Sequence, residues 1–133
     1  MVESFKSQAG YETLEPLDKF GKLLMEHLRD RAIGFYELLV AGHWQAPSLQ
    51  ELQLKLQTLT DDQQVLVRTS IISAIDTGIH DFLFKLQEQA DFENSIRVLV
   101  DGVDVISASD GLHGEPYSED GWIANYSKYE EVA

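Results

Sequence analysis

The longest helical pattern in the chain runs over residues 60–89 and reads TDDQQVLVRTSIISAIDTGIHDFLFKLQEQ. Thr60 and Gln63 form a capping-box pattern at its start, and the two aspartates between them place negative charge where a helix dipole favours it. An apolar stripe follows at helical spacing and consists of Val65, Ile72, Ile75, Ile79, Phe82, Leu83 and Leu86. The pattern predicts a helix over about 61–89. Gly78 inside it indicates close packing, a kink or a tolerated cost of about 1 kcal/mol relative to Ala.

Two further helices are predicted before this one. The first covers about 15–41, from Pro16, which suits a first helical turn, to a stop signal at Gly42. Its apolar stripe consists of Leu17, Phe20, Leu24, Leu28, Ala32, Phe35 and Leu39. The second covers about 48–59, where Ser48 and Glu51 form a capping-box pattern. Its apolar face consists of Leu49, Leu52, Leu56 and Leu59.

The hydrophobic period changes after the long helix. Residues 96–108 alternate apolar and polar side chains around Asp101-Gly102, a strong hairpin-turn signal, so they predict a two-stranded hairpin. A glycine-rich acidic loop over 110–121 and a short aromatic terminal segment that begins at Trp122 follow. The predicted fold is therefore α+β: a three-helix core, a C-terminal hairpin, the long acidic loop and the terminal segment. Residues 1–12 are expected to form a mobile arm, and 13–133 a single globular domain.

The charge of the chain limits its partners. The 133 residues carry a net charge of -13. Residues 1–60 hold 6 basic and 8 acidic groups (net -2), and residues 61–133 hold 4 and 15 (net -11). This excess of acidic groups opposes binding to nucleic acid or to an anionic membrane, whereas it would attract a basic protein.

Localisation is inferred from the absence of targeting features in the sequence. No basic segment followed by an apolar run begins the chain, and no apolar stretch approaches the roughly 20 residues of a membrane span. We therefore expect a cytoplasmic protein. The chain has no cysteine, so disulfides do not contribute to its fold.

Two arginines fall within apolar stripes when each residue is given about 100° around a helix. Arg31 lies in the stripe of the first helix and Arg68 in that of the third. Because a buried guanidinium needs carboxylate or carbonyl partners, we expect an ion-pair cluster that joins these arginines to Asp110 and Glu115 of the acidic loop. Such a cluster would hold the loop against the helices.

The same region contains the candidates for chemistry. Asp76 and His80 lie one turn apart on the third helix, and His113 and Glu115 lie in the loop. A carboxylate that orients a histidine could support acid–base catalysis, and the four histidines could in principle meet at a metal ion. The sequence contains no metal-ligand spacing, no nucleophile elbow and no phosphate-binding glycine loop. We therefore predict neither a cofactor nor a metal ion.

In size, acidity and lack of catalytic motifs, the chain is similar to the small bacterial immunity and inhibitor proteins that neutralise basic toxins. This likeness is of general character and transfers no residue. It favours a small, acidic, intracellular binding protein without catalytic activity, whose candidate contacts with a basic partner are Asp101, Asp104, Glu119 and Asp120. The alternative is a small-molecule or metal-dependent enzyme built on Asp76, His80, His113 and Glu115. A homo-oligomer is a further alternative, because Leu54 and Met25 lie off the main stripes.

Overall fold

The computed structural model describes residues 10–93 and 95–132. This part of the chain is mostly helical with a small antiparallel sheet of two strands, which is consistent with the α+β class. The elements in chain order are a 3-10 turn (Tyr11–Thr13), α1 (Pro16–Leu24), a π-helical turn (Met25–Arg29), α2 (Asp30–Val40), α3 (Pro47–Gln57), α4 (Asp61–Glu88), a second π-helical turn (Gln89–Glu93), β1 (Leu99–Val100), β2 (Val103–Asp104), a second 3-10 turn (Leu112–Gly114) and α5 (Trp122–Tyr126). Residues 1–9 of the arm predicted over 1–12 lie outside the described residues. The single domain predicted over 13–133 stays a prediction.

A π-helical turn divides the first predicted helix into α1 and α2. The amide of Asp30 donates to the carbonyl of Met25, five residues earlier, so this turn holds one residue more than an α-helical turn. One extra residue rotates every later side chain by about 100° around the helix axis. The turn therefore changes which residues of α2 face the core.

The rotation explains why the predicted stripe is wrong at Leu28, Ala32 and Phe35, whereas Leu39, its last member, is buried as predicted. A straight helix would bury Leu28, Ala32 and Phe35, yet Leu28 and Phe35 are exposed. The structure instead buries the residue that follows each of the three: Arg29, Ile33 and Tyr36. Arg31, which a constant period of 3.6 residues places in the stripe, is exposed for the same reason.

The stop predicted at Gly42 is confirmed. The amide of His43 donates to the carbonyl of Leu38 at 3.0 Å, and that of Gly42 donates to Leu39 at 3.1 Å, which is a Schellman closure. Gly42 has φ of 69°, a left-handed conformation that costs glycine little. The chain can therefore turn sharply toward α3.

Helix α3 begins differently from the prediction. Pro47 occupies the first turn and no side chain caps the helix, so the capping box expected from Ser48 and Glu51 does not form. The buried side chain of α3 is Gln53 rather than a leucine. Its Oε1 accepts from the amide of Trp44 at 2.8 Å, and its Nε2 donates to the carbonyl of Trp44 at 2.9 Å. This pair of hydrogen bonds holds the α2–α3 connection in place.

Helix α4 begins with the predicted capping box, in which Thr60 and Gln63 satisfy each other's backbone amides. Its buried residues are Ile72, Ile79, Leu83 and Leu86. Val65 and Phe82 were also predicted to be in the core, and both are exposed. Val65 lies two turns before Ile72, close to the helix end, and Phe82 lies about 70° from the centre of the stripe.

The hairpin is shorter than the predicted 96–108. Its two strands pair Leu99 with Asp104 and Val100 with Val103. Asp101 and Gly102 form the turn between them with φ of 51° and 80°, the positive values that a tight hairpin turn requires. The strands carry the chain across to Val105 and Ile106, which are fully buried.

The acidic loop folds back onto α4 and leads into α5. The amide of Leu112 donates to Oε1 of Gln87 on α4 at 2.9 Å. The amide of Trp122 donates to the carbonyl of Glu115 at 3.1 Å, which closes the loop on itself. The core around Trp122 consists of Met25, Ile79, Leu83, Leu86, Ile106, Leu112 and Ile123. Hence α1, α4, the hairpin and the loop share one apolar core.

Gly21 and Gly78 both lie inside helices and have opposite surroundings. A Cβ atom built on Gly21 would stand 2.3 Å from Cε2 of the buried Trp122 indole. No heavy atom lies within 4 Å of a Cβ built on Gly78, so close packing does not explain this glycine. The close approach of helix backbone to a neighbour therefore occurs at Gly21.

We expect Gly21→Ala to lower the free energy of unfolding by about 1–3 kcal/mol, because the indole has to move within a packed core. Gly78→Ala is the matched control and should raise it by about 0.5–1 kcal/mol, because Ala restricts the unfolded chain and suits a helix. Urea unfolding followed by circular dichroism measures both variants. An equal or greater stability of the Gly21 variant would show that Trp122 does not pack as described.

Candidate functional site

A buried guanidinium lies against Asp76, one of the candidate catalytic residues. Arg29, the last residue of the π turn, is fully buried. Its Nε donates to Oδ1 of Asp76 at 2.6 Å and its Nη2 to Oδ2 at 3.1 Å, which is a two-pronged ion pair with α4. Such a pair is the geometry in which a guanidinium and a carboxylate interact most strongly.

The other donors of Arg29 bind the C-terminal segment. Nη1 donates to Oγ of Ser127 at 2.8 Å and to the carbonyl of Tyr129, and Nη2 donates to the carbonyl of Glu130 at 3.1 Å. All five N–H groups of the guanidinium therefore have acceptors. This complete set allows a charged group to lie where water cannot reach it.

Asp30 supports the same segment. One oxygen of this largely buried carboxylate accepts the hydroxyl proton of Ser127, and both oxygens lie 3.1 Å from the amide of Lys128. The Ser127 hydroxyl in turn accepts from the amide of Tyr129 at 3.2 Å. We call Arg29, Asp30, Asp76 and Ser127 the Arg29 cluster, and it fixes the path of the chain after α5.

Tyr117 connects the acidic loop to the Arg29 cluster. Its hydroxyl donates to the backbone carbonyl of Asp76 at 2.7 Å. Burial raises the pKa of Tyr117 to about 12, and the negative charge of Asp76 adds to the shift. The phenol therefore stays protonated and keeps its role as a donor at neutral pH.

The segment held by Arg29 forms one wall of an open groove of about 520 Å³. The C-terminal groove, as we name it, is lined by Tyr117, Glu119, Ile123, Tyr129, Glu130 and Glu131. Lys128 is a basic residue in the same lining. Three carboxylates beside two phenol rings suit a cation, because carboxylates pair with its charge and aromatic faces attract it.

A second feature brings two histidines together. The ring centroids of His80 on α4 and His113 in the loop are 5.4 Å apart, with the rings nearly perpendicular. Phe84 packs edge-on against His113 at 5.1 Å, and Nδ1 of His80 lies 3.1 Å from Oδ1 of Asp81. An open cavity of about 290 Å³ adjoins His80 and is lined by Asp76, Thr77 and Tyr117 as well.

The four candidate catalytic residues are only partly assembled. Asp76 and His80 line the same cavity, and His113 contacts His80. The carboxylate of Asp76 is taken up by Arg29, and that of Glu115 accepts from Oγ of Ser109 at 2.6 Å. Among the residues that the structure describes, no three His, Cys, Asp or Glu side chains are grouped so that they could hold a metal ion.

The expected ion-pair cluster is formed by other residues. Arg31 and Asp110 are exposed, and Glu115 binds Ser109 instead of an arginine. Arg68 pairs with Glu37 on α2 at 2.6 Å, and both side chains are about two-fifths exposed. The buried arginine is Arg29, and its carboxylate comes from α4 rather than from the acidic loop. The prediction was wrong in its residues because the π turn moved position 29 into the core.

The candidate contact residues for a basic partner differ in their surroundings. Asp101 forms an ion pair with Lys19 on α1. Asp104 accepts from the amide of Ile106 at 3.1 Å and so caps the turn after β2. Glu119 and Asp120 are exposed in the loop, and Glu119 lines the C-terminal groove. Glu130 and Glu131 were not among the candidates, and only the local density of acidic groups in the sequence could have indicated them.

The two residues that suggested an oligomer, Met25 and Leu54, differ in burial. Met25 is fully buried in the core, so its place off the predicted stripe needs no second subunit. Leu54 is exposed.

Comparison of the chain with protein families, curated proteins and solved structures finds no match. Within residues 10–93 and 95–132, no helix has the length and apolar character needed to cross a membrane.

We expect Arg29→Met to lower the free energy of unfolding by about 3–5 kcal/mol, because it leaves Asp76 as an unpaired charge in a buried site. Arg31→Met, two residues further along the chain, is the matched control, and its effect should stay within about 0.5 kcal/mol because Arg31 is exposed. The double variant R29M/D76N should recover part of the loss, since it removes both charges. Urea unfolding of the three variants tests this assignment, and equal costs at positions 29 and 31 would contradict it.

Proposed function

We propose that this protein is a non-catalytic binding protein that takes a basic protein as its partner, in the manner of an inhibitor or immunity protein. The observation that carries this proposal is the C-terminal groove, which collects Glu119, Glu130 and Glu131 around Tyr117 and Tyr129. Lysine or arginine side chains of a partner are the protein groups that best complement such a surface.

The charge distribution supports the same partner. The groove belongs to the half of the chain that carries a net charge of -11, so the field of the whole domain adds to that of the groove. A long-range attraction of this kind raises the rate of encounter with a basic protein and weakens with added salt.

Rigidity of the groove also supports a binding role. Arg29 restricts the backbone of the segment before Glu131, because it donates hydrogen bonds to the carbonyls of Tyr129 and Glu130. A surface whose backbone is already held loses less conformational entropy when a partner binds. The groove is thus preorganised before a partner binds.

The enzyme alternative has one observation in its favour, the contact between His80 and His113 beside an open cavity. Its two carboxylates are engaged elsewhere, Asp76 by Arg29 and Glu115 by Ser109. The carboxylate that does contact His80 belongs to Asp81, which is exposed to water and lies outside the cavity lining, so the binding role is the better supported of the two.

The test uses a fluorescent hexa-arginine peptide as a probe of cation binding, with a hexa-glutamine peptide as the neutral reference. The full chain is compared with the variants E119Q/E130Q/E131Q and E15Q/E51Q/D62N, each of which removes three exposed carboxylates. We expect the groove variant to weaken peptide binding about tenfold and the control variant less than about threefold at moderate salt, because only the first set lies together.

Equal weakening by the two variants would mean that the peptide responds to net charge alone, which would reject the groove as the contact surface. Tight binding of the neutral peptide would reject a basic partner. Thermal unfolding of both variants confirms that any difference in affinity does not come from loss of the fold.

A further inference from the structure

The contact between His80 and His113 has a spacing that a shared metal ion requires. With a metal–nitrogen distance of about 2.0–2.1 Å and tetrahedral angles, two imidazoles on one ion place their centroids about 5 Å apart. The observed centroids are 5.4 Å apart and the rings are nearly perpendicular. The two rings are therefore close enough to bind the same ion.

Asp81 prepares His80 for this role. Its Oδ1 lies 3.1 Å from Nδ1 of His80, so the neutral imidazole places its proton on Nδ1 and donates it to the carboxylate. The lone pair is then on Nε2, the atom that would bind the ion. A carboxylate on the far nitrogen is the usual support of a metal-binding histidine.

His113 supplies an independent indication. Its Nδ1 is buried and has no hydrogen-bond partner among the described residues. Buried polar atoms are nearly always paired, so this one calls for an explanation. Edge-on packing against Phe84 and His80 accounts for the position of the ring but gives its polar atom no partner. An ion bound at Nδ1 would supply the missing partner.

The surroundings determine which ion fits. Asp76 is engaged by Arg29, so the protein offers two nitrogens here and water from the adjoining cavity of about 290 Å³ would complete the coordination. Nitrogen ligands favour zinc, nickel and copper, whereas magnesium and calcium prefer oxygen. We propose that His80 and His113 together bind one divalent transition-metal ion, independently of the C-terminal groove.

The experiment follows the imidazole nitrogens of the full chain by NMR at pH 7.5 while zinc chloride is added. We expect saturable shifts of the ring signals of His80 and His113, with His27 and His43 unmoved. Magnesium chloride at the same concentrations controls for attraction of any divalent cation to an acidic protein and should move none of the four. No saturable shift at His80 and His113, or equal shifts at all four histidines, would overturn the proposal.

Calorimetry with zinc then compares the variants H80N and H113N with the matched controls H27N and H43N. We expect each of the first two to weaken binding at least about tenfold, because one of only two protein ligands is lost, and the controls to keep the original affinity. Unchanged affinity in H80N would overturn the proposal. His113 is packed in the loop, so the NMR titration of the unmodified chain decides the outcome if H113N fails to fold.

Discussion

The burial of one guanidinium group governs how this chain is put together. A charged side chain with no water around it must have every donor satisfied, and the donors of Arg29 point in directions fixed by a planar fork. Asp76 on α4 and the carbonyls of Tyr129 and Glu130 meet these donors from two sides. Three segments far apart in the sequence are thus brought to one point.

The position of that guanidinium depends on a single extra residue. The π turn over Met25–Arg29 moves the buried face of α2 by one residue, so that Arg29 points inward and Arg31 outward. An inserted residue replaces one regular α-helical turn by a less stable π turn. Such π turns persist where surrounding contacts offset the lost stability. Here the compensation is the Arg29 cluster.

This dependence separates what could be predicted from what could not. The capping box at Thr60, the stop at Gly42 and the Asp101-Gly102 turn are local, because each depends on a few adjacent residues and their backbone angles. The sequence therefore indicates helices and a hairpin close to where they occur. The stripe of a helix is also predictable as long as its period is constant.

The site lies beyond such reasoning. No local signal marks the π turn, so a regular period places Arg31 rather than Arg29 in the core, and the partner of the buried charge is then sought in the wrong segment. Asp76 and His80 were predicted together because they lie one helical turn apart, and His113 because it lies in the acidic loop that was expected to cover this helix. Glu130 and Glu131 owe their place to main-chain contacts, which side-chain patterns do not report.

Because of those main-chain contacts, the backbone path of the groove does not depend on the side chains that give the groove its charge. Arg29 holds the carbonyls of Tyr129 and Glu130, and a carbonyl is available whatever side chain the residue carries. The side chains of Glu130 and Glu131 are therefore not needed to keep the segment in place. The charge that faces a partner can change while the backbone that presents it stays where the buried arginine fixes it.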